Sequence, residues 1–227
     1  MRVFMGHDPR EQAAYDVAER SLWNSSGVAA EPLCEDRLRA HGLLWRPVDR
    51  RGRMHDLTSG ADQATEFAIS RFMVPMLCQS GWALFADCDV VFLRDVHEMT
   101  LDHGDEAKAV YVVKHDHQPS EAWKMDGQTQ SSYPRKNWSS VILWNCEHPA
   151  HRRLNLHTVN SMPGRWLHAF GWLHDSEIGD LPAEWNWLVG VQPKPAEPAI
   201  AHYTLGGPWL PGWKDAEHDD IWLKAAQ

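Results

Sequence analysis

Two carboxylates separated by a single residue follow an apolar segment in the middle of the chain. The segment is Trp82–Ala86, and the carboxylates belong to Asp87 and Asp89. In an extended chain, residues i and i+2 point to the same side, so both carboxylates can face one ion. Hard oxygen donors suit Mg²⁺ or Mn²⁺, and such a cation can hold a diphosphate. The pattern therefore predicts a metal–diphosphate site, and an acidic pair exposed in a turn is the alternative.

A second group of candidate residues lies near the C-terminus. His202 follows a short apolar stretch, and we expect it to end a strand and to give its imidazole to the same metal. Gly206 and Gly207 allow the backbone to approach a phosphate closely. Lys214 is placed to neutralise charge on a leaving diphosphate. For His202 taken alone, a core histidine before a Gly-Pro turn is the alternative.

The apolar pattern predicts the elements that position these residues. Residues 2–6 form an apolar run and residues 11–22 carry a helical apolar face, which predicts a strand followed by a helix. Continuous apolar runs at 82–86, 109–113 and 140–144 predict strands that are buried on both faces. Such strands are typical of an α/β sheet covered by helices.

The segments between these runs are less regular. Residues 65–78 have a helical period, in which Pro75 is predicted to kink or end the helix. Residues 115–138 are polar and aromatic without periodicity, which is typical of a functional lid or binding loop. The tail beyond Ala201 is rich in Gly, Pro and Trp, and we expect loop there rather than regular structure.

Charge and cysteine usage exclude several classes of protein. The 227-residue chain has a formal net charge of −9, which gives no electrostatic footprint for nucleic acid, although a local basic pocket stays open. No run of about 20 apolar residues is present, so we expect no transmembrane segment. The N-terminal run meets charged residues too early for a secretory signal. The four cysteines lack CxxC spacing, which predicts reduced thiols and a cytoplasmic protein.

Four stretches in order along the chain resemble the GT-A-fold glycosyltransferases of family 8. This family includes glycogenin and bacterial lipooligosaccharide galactosyltransferases, and the chain resembles a divergent bacterial or phage branch of such transferases. The stretches are Arg2-Val3-Phe4-Met5-Gly6-His7-Asp8, Ser70-Arg71-Phe72, Asp87-Cys88-Asp89 and His202-Tyr203 with Gly206-Gly207-Pro208-Trp209. They resemble the opening strand of the family, its arginine helix motif, its metal-binding DxD and its C-terminal HFxGxxKPW.

The resemblance implies a fold, a reaction and a set of site residues. The fold would be a GT-A, Rossmann-like, mixed but mostly parallel sheet flanked by helices. The reaction would move a hexose or pentose from a UDP-sugar to a hydroxyl acceptor with retention, using Mn²⁺ or Mg²⁺. Gly6 and Asp8 would then lie against the uracil of the donor, and Arg71 would reach the donor phosphate and sugar. The metal ligands would be Asp87, Asp89 and His202.

The sequence also departs from the family pattern. Gly207 stands where the family has a phosphate-binding lysine, and Lys214 or Lys136 is the possible replacement. The family's Asp-Gln motif has no clean match, and Asp175 is its nearest candidate as a catalytic residue. Asn186 resembles the asparagine of the Leu-Pro…Asn stretch that follows in the family, and it is the second catalytic candidate.

The resemblance covers one domain, residues 1–227. The nucleotide-binding part would span about 1–95, and the acceptor side and a C-terminal lid about 96–227.

Two other functions compete with sugar transfer. The Asp-x-Asp motif after an apolar strand also resembles haloacid-dehalogenase-type phosphatases, in which Asp87 would be the nucleophile. The 13 tryptophans also suit a non-catalytic protein that binds carbohydrate or a nucleotide sugar, with Trp138 and Trp209 predicted to lie in the cleft.

Overall fold

A computed structural model describes residues 1–103, 105, 107–115, 135, 137–213 and 216–227. Its strands are β1 (Arg2–His7), β2 (Ala30–Cys34), β3 (Val48–Asp49), β4 (His55–Asp56), β5 (Ala61–Asp62), β6 (Trp82–Ala86), β7 (Val90–Phe92), β8 (Val110–Val112), β9 (Val141–Asn145), β10 (Ile178–Asp180), β11 (Trp187–Leu188) and β12 (Ile200–His202). Its α-helices are α1 (Gln12–Ser26), α2 (Glu35–Ala40), α3 (Val74–Cys78), α4 (Glu98–His103), α5 (Leu156–Ser161), α6 (Gly164–His168) and α7 (Asp219–Ala225). Short 3-10 helices span Pro9–Glu11, Ser70–Met73, Pro149–Arg153, Asp175–Glu177 and Ala183–Asn186.

In the part of the chain that the structure describes, six strands form the central sheet in the order β10-β8-β9-β6-β1-β2. The pairs β1–β2, β1–β6 and β8–β10 are parallel, whereas β9 runs antiparallel to both β6 and β8. Every residue of β9 is buried, as are four of the five residues of β6. The predicted α/β class with a mixed, mostly parallel sheet is therefore confirmed. Strands that are buried on both faces need helices on both faces, which is why continuous apolar runs predicted this class.

A second sheet brings His202 close to the Asp87–Asp89 segment. Its strand order is β11-β12-β7, and β12 pairs antiparallel with β7 so that His202 lies opposite Val90. The backbone N–H of Tyr203 also donates to the carbonyl of Asp89 at 2.9 Å. This pairing places His202 beside the residue that immediately precedes β7.

A buried ion pair fixes the small sheet formed by β3, β4 and β5. Arg46 and Asp56 are both almost fully buried and form a salt bridge, and Arg46 also donates to the carbonyls of Val159 and Met162. Ser59 Oγ then accepts from the backbone N–H of Gly164 at 2.7 Å. These bonds attach the small sheet to the start of α6.

Two predicted segments differ from the structure. The helix expected over residues 65–78 is a 3-10 turn followed by the short helix α3. Pro75 lies in the first turn of α3, where a missing N–H breaks no helical bond, so its prediction as a kink or stop is wrong. The tail contains helix α7, whose Trp222 packs with Tyr203 and Val17 in a second apolar cluster.

Candidate functional site

Three predicted metal ligands meet beyond the carboxyl end of β6, an inner strand of the central sheet. One ligand atom from each of Asp87, Asp89 and His202 lies within 4.8 Å of the others. His202 Nε2 is 3.3 Å from Asp89 Oδ1. The sequence places both aspartates on one side because they alternate with Cys88, whose buried thiol points away and donates to Glu11 Oε2 at 3.3 Å. Burial raises the pKa of the Cys88 thiol, so the thiol stays protonated and adds no charge to the site.

Arg71 is held against this cluster. Its Nη1 lies 2.8 Å from Asp87 Oδ1 and donates to the carbonyl of Ser139 at 2.7 Å. The guanidinium carbon lies 4.9 Å from the ring centre of Phe85 and 5.4 Å from that of Phe67. These contacts bury Arg71 and fix the direction of its charge, so the positive group stays beside the acidic pair.

A cleft of about 240 Å³ opens beside the cluster, and Arg71, Asp87 and His202 line it. Another wall comes from residues 59 and 61–65 and from α6, which contributes Arg165 and His168. His168 Nδ1 lies 2.7 Å from Ser139 Oγ. Sequence reasoning missed this wall, because strands of two residues and a helix of five show no periodicity.

Asn186 lies behind the cluster rather than in the cleft. Its side chain is fully buried, and its Oδ1 is 2.9 Å from Nδ1 of His202. The structure therefore gives this predicted catalytic residue a contact with a predicted metal ligand.

Asp175 lies away from the cleft. Its side chain is 89% exposed and forms an ion pair with Arg135, with 2.6 Å between Oδ1 and Nη2. Among the described residues, those that line the cleft do not include Asp175. The structure does not bring Asp175, the nearest candidate for the family's Asp-Gln motif, to the other site residues.

The predicted base-binding residues lie at the end of β1. Asp8 caps the following 3-10 helix, and its buried carboxylate accepts hydrogen bonds from the side chain and backbone of Arg10 and from the backbone of Glu66. Burial favours a higher pKa for this carboxyl, but these hydrogen bonds and the Arg10 charge outweigh it and hold the pKa below its usual value. Gly6 packs against the ring of Phe67, where any Cβ would overlap the ring. The contact of these residues with a base stays a prediction.

The C-terminal glycines shape a loop rather than a wall of the cleft. Gly206 has a φ of 110°, and a Cβ there would lie 2.5 Å from Leu210 Cδ1, so only glycine fits. Gly207 packs against the ring of Trp209. Neither is among the described residues that line the cleft. Lys214 and Lys136 lie outside the described residues, so their predicted roles stay predictions.

The two tryptophans expected in the cleft lie elsewhere. Trp138 donates to the carbonyl of His115 and packs against the guanidinium of Arg135. Trp209 packs against Tyr203 and Trp222 in the second apolar cluster. Neither is among the described residues that line this cleft, and both are half-buried against other side chains.

The donor set of the cluster fits a divalent cation. Two carboxylates and one imidazole are ligands that Mn²⁺ accepts, and the carboxylates also suit Mg²⁺. The three side chains are mostly buried, and both carboxylates lie within reach of one ligand position with the imidazole. A cation at this point would be attracted by both carboxylates, so the residues fit the group.

Comparison with solved structures defines the fold class. The chain matches the glycosyltransferase GlyE of Streptococcus pneumoniae TIGR4 with a TM-score of 0.62, at 13% identity over 99% of this chain. It matches the galactosyltransferase LgtC with a TM-score of 0.56, at 13% identity over 100% of this chain and 95% of that one. It matches mouse xyloside xylosyltransferase 1 with a TM-score of 0.54, at 11% identity over 91% of this chain and 99% of that one. The fold is therefore the GT-A fold, although the chain spans only 59% of the length of GlyE.

Sequence comparison defines the family. The chain is 44% identical over 230 residues to Protein CDI of Arabidopsis thaliana, covering 98% of this chain and 84% of that protein. It therefore belongs to the family of Protein CDI. No family model matches the sequence. Among the described residues, no helix combines the length and the apolar character needed to cross a bilayer.

Proposed function

We propose that this protein is a metal-dependent glycosyltransferase that moves a sugar from a UDP-sugar to a hydroxyl acceptor with retention. The observation that carries the proposal is the cluster of Asp87, Asp89 and His202 beside a cleft in a GT-A fold. The UDP donor and retention rest on the sequence resemblance to family 8.

The charges of the site suit the departure of a diphosphate. Asp87, Asp89 and His202 would hold Mn²⁺ or Mg²⁺, which when bound supplies positive charge to the leaving diphosphate. Arg71 adds a fixed guanidinium at the same edge, because Ser139 and two aromatic rings hold it in place. Positive groups that are already oriented stabilise developing negative charge without reorganising during the reaction.

The size and polarity of the cleft suit the sugar end of the donor. Its volume of about 240 Å³ lies below the roughly 300–1,000 Å³ of typical small-molecule sites. Hydroxyl, amide and imidazole groups line it, among them Thr65, Asn137 and His168. Such groups exchange hydrogen bonds with sugar hydroxyls. We therefore assign this cleft to the transferred sugar and the diphosphate next to it.

The competing functions have less support. A phosphatase would need Asp87 as a nucleophile, whereas this carboxylate faces Arg71 and shares a cluster with Asp89 and His202. A carbohydrate-binding protein would stack sugars on tryptophan, yet among the described residues the cleft lining includes no tryptophan.

A screen of UDP-sugars tests the proposal. UDP release is measured with Mn²⁺ and with a chelator, for the wild type, Asp89→Asn and the matched surface variant Asp180→Asn. We expect release only with metal and a loss of about a thousandfold in Asp89→Asn, because losing the metal's charge costs several kcal/mol. Asp180→Asn should behave as wild type, since Asp180 pairs with Lys114 at the surface. Metal-independent release, or normal turnover in Asp89→Asn, would contradict the proposal.

A further inference from the structure

A fully buried amide stands behind the imidazole of the metal cluster. Asn186 ends the 3-10 helix that leads into β11, and β11 pairs in parallel with β12, which ends at His202. The relative exposure of Asn186 is 0%, so bulk water does not reach its amide. The hydrogen bonds of this amide are therefore made to protein groups.

The orientation of this amide is fixed by its neighbours. Asn186 Nδ2 lies 3.3 Å from the carbonyl oxygen of Asn137 and 3.0 Å from Ser140 Oγ. A carbonyl oxygen can only accept, so the amide atom that faces it must be the NH₂ group. Ser140 Oγ donates its own hydrogen to the same carbonyl at 2.7 Å, which leaves its oxygen free to accept from Nδ2. The reversed amide would place two acceptors against each other.

This orientation decides where the proton of His202 lies. The remaining amide atom, Oδ1, is 2.9 Å from His202 Nδ1. Oδ1 is an acceptor, so Nδ1 must carry the hydrogen. In the neutral ring the lone pair is then on Nε2, the nitrogen 3.3 Å from Asp89 Oδ1. A lone pair and a carboxylate oxygen repel each other unless a cation lies between them.

The spacing of these two atoms also suits a shared cation. Two ligand atoms about 2.1 Å from one cation and at right angles to each other lie about 3 Å apart. The separation of 3.3 Å between Nε2 and Oδ1 is close to that value.

We propose that Asn186 is a positioning residue of this site, which holds His202 in the Nδ1–H tautomer so that Nε2 can bind the cation. The inference rests on the proposed function and deepens it. It replaces the catalytic role that the sequence suggests for Asn186, since a fully buried amide does not touch substrate. Residues 137–140 connect Asn186 to the rest of the site. The carbonyl of Ser139 accepts from Arg71, and the carbonyl of Ser140 accepts from the N–H of Asp87.

The tautomer is measured directly in the metal-free protein. Long-range ¹H–¹⁵N correlation spectra of histidine-labelled protein distinguish Nδ1–H from Nε2–H imidazole, and His202→Gln assigns the signal. The spectra are recorded at about pH 8, where an ordinary imidazole is neutral. We expect His202 to be Nδ1–H in the wild type. An Nε2–H ring would overturn the role of Asn186, whether or not the protein binds metal.

Matched variants connect the tautomer to metal binding. Asn186→Leu removes the acceptor at similar volume, and we expect a mixed tautomer and a loss of Mn²⁺ affinity of about tenfold to a hundredfold. Asn186→Asp keeps an acceptor toward Nδ1 and should restore the Nδ1–H form and most of the affinity, at a cost in stability because its second oxygen faces the carbonyl of Asn137. The control is Asn160→Leu, which removes another buried amide with three hydrogen bonds, to Trp45, Leu43 and Leu156. It should lower stability and leave Mn²⁺ affinity unchanged.

The outcomes separate this inference from the proposed function. Equal Mn²⁺ affinity in Asn186→Leu and the wild type overturns the positioning role and leaves the metal site standing. A wild-type protein that binds no Mn²⁺, with His202 in the Nδ1–H form, overturns the metal site itself and the positioning role with it.

Discussion

Replacing Arg71 by methionine should change stability and metal binding in opposite directions. Methionine keeps much of the volume between Phe67 and Phe85 but removes the charge that lies 2.8 Å from Asp87. Two unit charges about 4 Å apart interact by about 4 kcal/mol at an effective dielectric constant of 20. Removing one partner of a buried pair typically costs about 3–5 kcal/mol, because the other charge stays buried without its counter-ion. We expect the free energy of unfolding of the metal-free protein to fall by about that amount.

The same substitution should strengthen the binding of Mn²⁺ alone. Arg71 repels any cation that binds beside Asp87, so its removal makes the two carboxylates more attractive to the metal. We expect Mn²⁺ to bind about tenfold more tightly, which is about 1.4 kcal/mol. Binding of UDP in the presence of Mn²⁺ should weaken, because a fixed positive group beside the diphosphate is lost.

Urea denaturation and Mn²⁺ calorimetry measure both effects. Arg94→Met is the matched control, since Arg94 also lies over an aromatic ring, 5.1 Å from that of Trp185, but pairs with the half-exposed Glu98 one turn later. Such helical pairs contribute about 0.3–0.5 kcal/mol. The reasoning is refuted if Arg71→Met matches this control in stability and binds Mn²⁺ as the wild type does.

Three further predictions concern pH, a loop and the C-terminal segment. Burial lowers the pKa of His151 to about 4, so between pH 6.5 and 4 the unfolded chain binds a proton that the folded chain does not. Stability should fall by about 3 kcal/mol as pH decreases through this window and be unaffected above it, and His151→Gln should flatten that part of a denaturation series. Gly206→Ala should destabilise the protein by about 1–3 kcal/mol in thermal unfolding, and more than Gly42→Ala, because both glycines have positive φ but only Gly206 lacks space for a Cβ. Hydrogen exchange across residues 203–213 should slow when UDP and Mn²⁺ are added together, and identical exchange in both states would exclude a lid that orders on the donor.

The proximity of Asp87 and Asp89 could be predicted because its determinants are local. An apolar run predicts a buried strand, and two carboxylates in alternating positions after it share a side. His202 follows another short apolar run, so its position at a strand end was also visible in the sequence. The antiparallel pairing of β12 with β7, which brings His202 to Asp89, depends on tertiary structure and could be expected only from the family resemblance.

The predictions that failed concern residues with two equally good local roles. Proline marks the first turn of a helix as well as its end, so sequence alone could not decide where Pro75 lies in α3. Helix α7 lies close to glycine and proline, and its Trp222 becomes part of a core only through Tyr203 and Val17. The catalytic role predicted for Asn186 stays a prediction, and its contact with His202 is visible only in three dimensions.

The central claim is that Asp87, Asp89 and His202 bind a cation that in turn binds the donor diphosphate. Calorimetric titration of UDP into the wild-type protein, once with saturating Mn²⁺ and once with a chelator, tests it most directly. The account predicts binding at least tenfold tighter with Mn²⁺, and no such gain in Asp89→Asn. Equal affinity for UDP in the two conditions would contradict it.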